Sequence, residues 1–340
     1  MPGTEHHSLQ RSHRLPGGTG GMLLLLLLAA GSVVTMAAAA AEYPVRPIRY
    51  IVPAAPGNAA DTAARMLAVE LTKQMGQQVI VDNRPGASGS IATDLVARAV
   101  PDGYTIGHGN ILTLALNRSL LPKLPYDPDK DLQAVVHFSR SPNLLAVTLS
   151  LPVKTVRELI DYAKKNPDAL LYASPGSGSS SHVSGELFKL MTGTQMVHVP
   201  YKGSAQGITD LIAGRVHLMF NNLPSTMPHV RSGKLRALGM TGPKRTPAIP
   251  ELPTIAEAGV PGFEVTAWAG LVVPAGVPKA VIGRLNAETN KALASPEMIS
   301  RLSALSFEPV GGSPEQFAAF IRKEHAKWAD VVKRSGVKVD

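Results

Sequence analysis

The chain has 340 residues, of which 44% are apolar, 17% charged and 5% aromatic, and it contains no cysteine. Its length suits two domains better than one, and its apolar fraction excludes an intrinsically disordered chain. The lack of cysteine excludes disulfide scaffolds, zinc ribbons, iron–sulfur clusters and thiol nucleophiles. The formal net charge of +9 is compatible with an anionic partner but identifies none.

The first 41 residues have the pattern of a secretory signal peptide. Two arginines precede the apolar run Leu23–Leu28, and a tract of small residues ends at Ala41, which is typical of cleavage before Glu42. A retained membrane anchor is the alternative, because about 20 apolar residues span a bilayer. If Met22 is the true start, the interpretation rests on the apolar run alone. We expect residues 1–41 to be removed and the rest of the chain to reside in the periplasm.

Short apolar runs alternate with helix-like patterns through the rest of the chain. The predicted elements are strand Ile48–Val52, helix Ala60–Leu71, strand Val79–Val81, helix Ile91–Ala99, strand Tyr104–Gly107, helix Thr155–Lys165, strand Leu170–Ala173, helix His182–Met191, strand Met196–Val199, helix Ser204–Ala213, strands Val216–Phe220 and Leu235–Met240, and a helical region Pro278–Val337. Repeated strand–loop–helix units with short links predict parallel sheets with helices on both faces.

Two extended apolar segments predict crossings between two lobes. They are Asn143–Leu149 and Val265–Val273, and they lie far apart in the sequence. The chain is therefore expected to leave a first lobe, build a second one and return. The predicted boundaries are residues 42–142 and 266–340 for lobe 1, and residues 143–265 for lobe 2.

Sequence signatures of catalysis are weak. There is no G-x-S-x-G nucleophile elbow. A serine cluster, Ser177–Ser181, directly precedes His182, so a secreted serine hydrolase that uses Ser179 or Ser181 with this histidine remains an alternative. No two histidines have the H-x-x-x-H or H-E-x-x-H spacing of metal sites. We therefore expect neither a metal nor a cofactor.

Three loops of small residues each follow a predicted strand and open a predicted helix. They are Pro53–Asn58, Arg84–Ser90 and Pro175–Ser181. The first turn of a helix has unpaired N–H groups and the positive end of the helix dipole, so such a loop can bind a carboxylate or phosphate without a charged side chain. The alternative is that they are only tight turns. Three similar loops in an exported chain without a catalytic set favour ligand binding.

These loops and the segments that follow them resemble the receptors of tripartite tricarboxylate transporters, the Bug family. The matching segments cover nearly the whole mature chain and are Val52–Asp61, Asp82–Gly89, Pro101–Thr105, Tyr172–His182, His198–Ser204, Gly233–Leu238, Pro253–Gly259 and Pro274–Pro278. The resemblance implies a two-lobed periplasmic-binding-protein fold of the Venus-flytrap type, which is an α/β fold with parallel-rich sheets, flanking helices and two crossover strands. It also implies a monomeric receptor, not an enzyme, that closes on a small carboxylate and delivers it to membrane permease subunits.

The same resemblance implies a ligand site with one wall from each lobe. The backbone amides of Ala87, Ser88 and Gly89 are expected to hold one carboxylate. The full set of expected ligand-binding residues is Pro53, Ala54, Ala55, Asn58, Asp61, Ala87, Ser88, Gly89, Asn110, Thr113, Ser174, Gly176, Ser179, His182, Tyr201, Lys202, Ala205, Asn221 and Trp268.

Three of these residues have a second interpretation. Asp61, at the start of a helix, is more typical of a partner for the helix dipole than of a ligand contact. Lys202 is either a partner for a carboxylate or a solvated lysine. Trp268 is interpreted as a wall of the cleft, with packing as the alternative.

The sequence departs from the family pattern at two positions that bear on the ligand. Asn58 stands where the first loop usually has a second glycine, and Asn221 stands where many members have aspartate. The loss of that negative charge argues against an amine-bearing ligand and favours a plain or aromatic carboxylate. A receptor that reports to a sensor kinase would use the same pocket. No nucleic-acid partner is expected, because lysine and arginine are scattered and aromatic residues are few.

Overall fold

The computed structural model describes residues 43–246 and 249–335. The signal-peptide prediction for residues 1–41 lies outside the described residues and stays a prediction. From Pro44 onward, the described residues belong to one unit. Within the described ranges, no helix combines the length and the apolar character that crossing a membrane requires.

The strands join into one mixed sheet. Its members are β1 (Ile48–Val52), β2 (Val79–Asn83), β3 (Thr105–Asn110), β4 (Leu132–Thr148), β5 (Leu171–Ser174), β6 (Val197–Pro200), β7 (Leu218–Asn222), β8 (Leu235–Met240), β9 (Thr266–Pro274) and β10 (Glu308–Gly311). The order is β2-β1-β3-β9-β4-β7-β5-β6, with β8 and β10 paired to β4. β1 is parallel to β2 and β3, and β5 is parallel to β6 and β7. The two parallel groups are joined through β4 and β9, which run antiparallel to their neighbours.

Helices flank this sheet and follow most of its strands. They are α1 (Ala59–Met75), α2 (Ser90–Ala97), α3 (Asn117–Leu120), α4 (Val156–Lys165), α5 (Ser180–Thr192), α6 (Ser204–Ile212), α7 (Leu223–Arg231), α8 (Lys279–Leu293), α9 (Pro296–Ala304) and α10 (Pro314–Ser335). A short 3-10 turn covers Ala87–Gly89, and a π-helical turn covers Leu112–Leu116. The alternation of strand, loop and helix predicted from the sequence is confirmed.

β4 is the longest strand, with 17 residues, and it belongs to both halves of the sheet. Its first part, up to Pro142, pairs with β9, and its last part, from Asn143, pairs with β7. The apolar pattern predicted only the second part as a crossing segment. The strand itself begins at Leu132, and the apolar pattern does not extend over its first part because Ser139 and Ser141, which line a cavity, interrupt the apolar run. The other predicted crossing, Val265–Val273, matches β9 to within one residue at each end.

A capping box closes the start of α4, as the Thr155-x-x-Glu158 pattern predicts. The Thr155 Oγ1 atom accepts a hydrogen bond from the Glu158 backbone N–H at 3.1 Å. The Glu158 carboxylate accepts one from the Lys154 N–H at 2.6 Å.

We expect Thr155→Ala to lower the free energy of unfolding by about 1 kcal/mol, and Thr155→Ser to preserve it. Urea unfolding measures both, and equal midpoints for the alanine variant and the wild type would contradict the capping role.

Candidate ligand-binding site

A cavity of about 360 Å³ lies between the two groups of strands. Three neighbouring strands contribute side chains and backbone to its lining. They are His108 and Asn110 of β3, Ser139, Ser141 and Asn143 of β4, and Ala267, Trp268 and Ala269 of β9. The volume lies in the range of small-molecule sites.

Three helices begin at this cavity. The first residues of α1, α5 and α7 line it, together with their N-cap residues Asn58, Ser179 and Asn222. Asn58 Oδ1 accepts from the Ala60 N–H at 2.8 Å, and Asn222 Oδ1 accepts from the Ser225 N–H at 3.1 Å. Helix N-termini carry unpaired N–H groups and a partial positive charge, so all three favour an anion in the cavity.

The lining carries no Asp, Glu, Lys or Arg among the described residues. Its polar groups are the hydroxyls of serines, the amides of asparagines and the imidazole of His108, and the remainder is apolar. An anion bound there would therefore meet dipoles and hydrogen-bond donors, and an ammonium group would meet no carboxylate. In the described part of the chain, no group of three or more His, Asp or Glu residues could hold a metal ion.

Asp61 lies close to the start of α1 but outside the cavity lining. Its carboxylate accepts from the Gly57 N–H at 2.8 Å, from Asn83 Nδ2 at 2.8 Å and from Arg65 Nε at 3.0 Å. Burial acts to raise the pKa of Asp61, but the hydrogen bonds from Arg65, Asn83 and Gly57 outweigh it and hold that pKa below its usual value. The carboxylate is thus engaged by the chain itself, where it fixes the first loop.

The second small-residue loop, around the 3-10 turn Ala87–Gly89, also lies outside the cavity lining. Ser88 and Gly89 have positive φ angles of 53° and 82°. A Cβ atom on Gly89 would lie 2.6 Å from Thr113 Cγ2 and 3.2 Å from Pro53 Cβ. This loop therefore packs tightly against Pro53 and Thr113, which fixes the backbone that leads into α2.

The third small-residue loop, Pro175–Ser181, is held in place by two stacked histidines. The His182 and His198 rings lie 3.8 Å apart at 6°. His182 Nδ1 accepts from the Gly178 N–H at 3.0 Å, and His198 Nε2 lies 2.6 Å from Ser174 Oγ. Burial lowers the pKa of both histidines to about 4, with the neighbouring Lys189 contributing in each case.

The same contacts bear on the hydrolase alternative. The Ser179 hydroxyl donates to the Gly176 carbonyl at 2.7 Å, and the imidazole of His182 is occupied by Gly178. Within the described chain, no hydrogen bond joins this imidazole to the hydroxyl of Ser179 or Ser181. A serine nucleophile with His182 as its base lacks the required contact.

The remaining expected residues of the second half of the sheet divide into two groups. Asn221 lines the cavity, and its amide is held on both sides: Oδ1 accepts from Ser204 Oγ at 2.9 Å, and Nδ2 donates to Thr226 Oγ1 at 3.1 Å. Tyr201 lies outside the lining, and its hydroxyl donates to Asp210 at 2.8 Å. Lys202 is exposed and also lies outside it.

Trp268 both lines the cavity and packs. Its indole Nε1–H donates to Glu324 Oε2 at 2.8 Å, and its ring meets Phe320 edge to face at 5.1 Å. The Trp328 indole donates to the same Glu324 oxygen at 2.9 Å. One buried carboxylate therefore fixes the indole that forms this wall.

The cavity brings together some of the expected residues and leaves others around it. Those that line it are Asn58, Asn110, Ser179, Asn221 and Trp268. Those outside the lining are Pro53, Ala54, Ala55, Asp61, Ala87, Ser88, Gly89, Thr113, Ser174, Gly176, His182, Tyr201, Lys202 and Ala205.

Sequence reasoning missed several residues that line the cavity. Polar side chains on β3 and β4 were not recognised, chiefly His108, Ser139 and Ser141. The start of α7 was also missed, although Asn222 followed by Pro224 has the pattern of an N-cap with proline in the first helical turn.

Comparisons with known proteins agree on one family. The model of the family described as "Tripartite tricarboxylate transporter family receptor" matches residues 63–337. The chain is 40% identical over 291 residues to the UPF0065 protein of the tcbD–tcbE intergenic region of Pseudomonas sp. strain P51, with 85% of this chain and 86% of the relative covered. It is 38% identical over 298 residues to protein BugT of Bordetella pertussis, with 87% and 91% covered.

Solved structures of similar proteins include complexes with small acids. Rpa4515 of R. palustris, solved with adipate, has a TM-score of 0.76 and 41% identity, with 88% of this chain and 100% of that chain covered. MatC of Rhodopseudomonas palustris, solved with bound malate, has a TM-score of 0.72 and 34% identity, with 85% and 100% covered. The two-lobed α/β fold predicted from the sequence is confirmed by these neighbours.

Proposed function

Because the chain belongs to the tripartite tricarboxylate transporter receptor family, we propose that it binds a small carboxylate in the periplasm and delivers it to the membrane permease subunits of a tripartite transporter. One observation carries the proposal: three helices begin at a cavity whose described lining has no charged side chain. Each helix N-terminus contributes about 0.3–1 kcal/mol to binding an anion when exposed, and up to about 2 kcal/mol when partly buried. The ligands of the two structural relatives, adipate and malate, are acids of the same class.

Binding in this proposal occurs by closure of two lobes. Lobe 1 comprises residues 42–142 and 266–340, and lobe 2 comprises residues 143–265. The change of β4 partners between Pro142 and Asn143 supports this division. α1 then meets the ligand from lobe 1, and α5 and α7 meet it from lobe 2. A ligand that touches both lobes favours the closed form, because it gains contacts there that the open form lacks.

A panel of acids tests the proposal directly. The purified protein, unfolded and refolded to remove any acid acquired during expression, is screened by thermal shift against adipate, malate, benzoate, phenylalanine and aspartate. At about 100 times the dissociation constant, a ligand stabilises the native state by about 2.7 kcal/mol, which gives a clear shift. We expect at least one carboxylate to stabilise the protein and the amino acids to have no effect. No shift with any acid would overturn the proposal.

Delivery to a permease needs a separate test in cells. Deletion of the gene should reduce uptake of the acid identified in the panel, and the wild-type protein should restore it. A deletion strain that takes up the acid normally but no longer responds to it by transcription would point to a sensing receptor instead.

Asn221 provides a test of the charge preference. We expect Asn221→Asp to weaken carboxylate binding at least tenfold, because a buried negative charge a few ångströms from the ligand repels it by several kcal/mol at an effective dielectric constant near 20. Calorimetry of the acid found in the panel measures the effect. Asn166→Asp, at the end of α4 and outside the cavity lining, is the matched control. Equal affinities for Asn221→Asp and the wild type would contradict the prediction.

Trp268 provides an optical signal for binding. The sequence contains two tryptophans; Trp268 lines the cavity, whereas Trp328 lies in the core with 0% exposure. We expect the bound acid to change the intrinsic fluorescence of the wild type and of Trp328→Phe, but not that of Trp268→Phe. A fluorescence change that persists in Trp268→Phe and is lost in Trp328→Phe would place the ligand elsewhere.

A further inference from the structure

His108 is a buried imidazole beside the cavity whose role the sequence did not suggest. It lies on β3, is 4% exposed and lines the cavity. Its Nδ1 atom lies 2.9 Å from the hydroxyl of Tyr50. Its Nε2 atom has no hydrogen-bond partner within the described chain.

The Nε2 atom of His108 faces the cavity. Among the described residues, the enclosed side-chain polar atoms that lack a partner belong to Asn117, His137 and Thr289. His108 is not one of them, so its Nε2 atom is accessible. A second space that His108 borders is too small to hold a water molecule. Nε2 is therefore reached from the ligand cavity.

Tyr50 fixes which nitrogen of His108 carries the proton. Tyr50 is 0% exposed, and His108 Nδ1 is the sole partner of its hydroxyl in the described chain. The hydroxyl has to donate to Nδ1, because otherwise its own proton would be buried without an acceptor. Burial raises the pKa of Tyr50 well above its usual value and lowers the pKa of His108 to about 4, so both groups are neutral near pH 7. A neutral imidazole that accepts at Nδ1 carries its proton on Nε2.

We propose that His108 is a specificity-determining residue, whose Nε2–H group donates a hydrogen bond to a carboxylate oxygen of the ligand, and that Tyr50 is its positioning residue. The inference rests on the proposed function and adds to it a side-chain donor inside a cavity lined by three helix N-termini. A neutral donor selects an acceptor oxygen and repels neither the anion nor an apolar body attached to it. A ligand group that presents a donor at this point, such as an ammonium, would leave Nε2–H unpaired.

The tautomer is tested without any ligand. The full chain, labelled with ¹⁵N-histidine, is examined by NMR at pH 7, and His108 is assigned from the signals lost in His108→Gln. We expect the pattern of the Nε2–H tautomer in the wild type and a mixture of the two tautomers in Tyr50→Phe. An Nδ1–H tautomer in the wild type would overturn the inference.

The role in binding is tested with adipate and benzoate as probes. By calorimetry, His108→Gln is expected to bind the acid about 10- to 100-fold more weakly, since a hydrogen bond to a charged group is lost. Tyr50→Phe is expected to lose about 3- to 10-fold while keeping the imidazole. His229→Gln, on α7 and outside the cavity lining, should bind as the wild type does. Far-UV circular dichroism establishes that each variant is folded.

The pH profile separates a neutral donor from a charged partner. Wild-type affinity for benzoate, whose single carboxyl group stays ionised, should be constant between pH 5.5 and pH 8, because the imidazole is neutral across that range. Affinity that rises as the pH falls toward 6 would indicate an imidazolium and overturn the inference. If the wild type binds an acid and His108→Gln and Tyr50→Phe bind it with the same affinity, this inference alone is overturned. If the wild type binds no acid, the proposed function is overturned as well.

Discussion

Replacing Gly270 with alanine is expected to lower the free energy of unfolding by about 3 kcal/mol or more. Gly270 lies on β9, between His137 of β4 and Gly109 of β3 in the sheet register. An added Cβ would lie 2.0 Å from Phe317 Cζ and 2.7 Å from the carbonyl oxygen of Val136. The ring is fully buried in the core, and the carbonyl belongs to the neighbouring strand, so neither can move away without disturbing the sheet.

Urea unfolding followed by circular dichroism measures the loss. Gly283→Ala is the matched control: it lies on the exposed face of α8, with nothing within 4 Å of an added Cβ. The free energy of unfolding of Gly283→Ala should be higher than that of the wild type by about 0.5–1 kcal/mol, because alanine is the better helix former. The double variant Gly270→Ala with Phe317→Leu should recover part of the lost stability. A Gly270→Ala protein as stable as the wild type would show that the strand and α10 can separate without cost.

Gly270 also connects the core to the cavity wall. Phe317 packs at the glycine and meets the ring of Trp268 edge to face at 5.9 Å. It also stacks on His137 at 5.3 Å. Displacing Phe317 should therefore shift Trp268 and weaken ligand binding in any Gly270→Ala protein that folds. A residue without a side chain is therefore expected to affect a site that it does not line.

Most strands and helices could be predicted because their causes are local. β1 and β8 match their predicted bounds at both ends, since apolar runs bounded by turn residues need no information about the rest of the chain. The capping box at Thr155 is equally local, and it is formed. The first part of β4 was missed for the opposite reason: Ser139 and Ser141 line the cavity instead of the core, so the functional site breaks the pattern that identifies a strand.

The sequence predicted the candidate site only where a loop leads directly into the N-terminus of a helix. The loops before α1 and α5 indicated helix N-termini, and their residues Asn58 and Ser179 do line the cavity. The loop at Ala87–Gly89 has the same composition, yet it packs against Thr113 outside the lining. Composition does not distinguish a loop that faces a cavity from one that closes on a neighbour. His108 could not be found either, because its role depends on the sheet register and on Tyr50, a residue far away in the sequence.

The protein is expected to lose stability as the pH falls from about 6.5 to about 4. Burial lowers the pKa of four histidines, His108, His137, His182 and His198, to about 4 each. In the unfolded chain a histidine titrates near 6.5. Between these two values the unfolded chain binds protons that the folded protein cannot bind. The contribution of these groups to stability is therefore complete above pH 6.5 and is lost progressively toward pH 4.

The slope should be steep because several groups act together. Each deeply buried histidine contributes about 1 kcal/mol per pH unit within the window. Urea unfolding midpoints at pH 5, 6, 7 and 8 measure the sum. His229→Gln, on α7, is the matched control and should leave the slope nearly unchanged. A midpoint that stays constant from pH 7 to pH 5 would contradict the prediction.

His182 should account for a distinct part of this slope and should link it to the ligand site. A proton on Nδ1 removes the acceptor for the Gly178 N–H, which holds the third loop in front of α5. A charge on His182 is also opposed by burial and by the neighbouring Lys189, which together lower its pKa to about 4. We expect His182→Gln to flatten the pH dependence of stability. If the variant and the wild type lost stability in parallel, the proton taken up on unfolding would belong to the other histidines, and the third loop would not depend on pH.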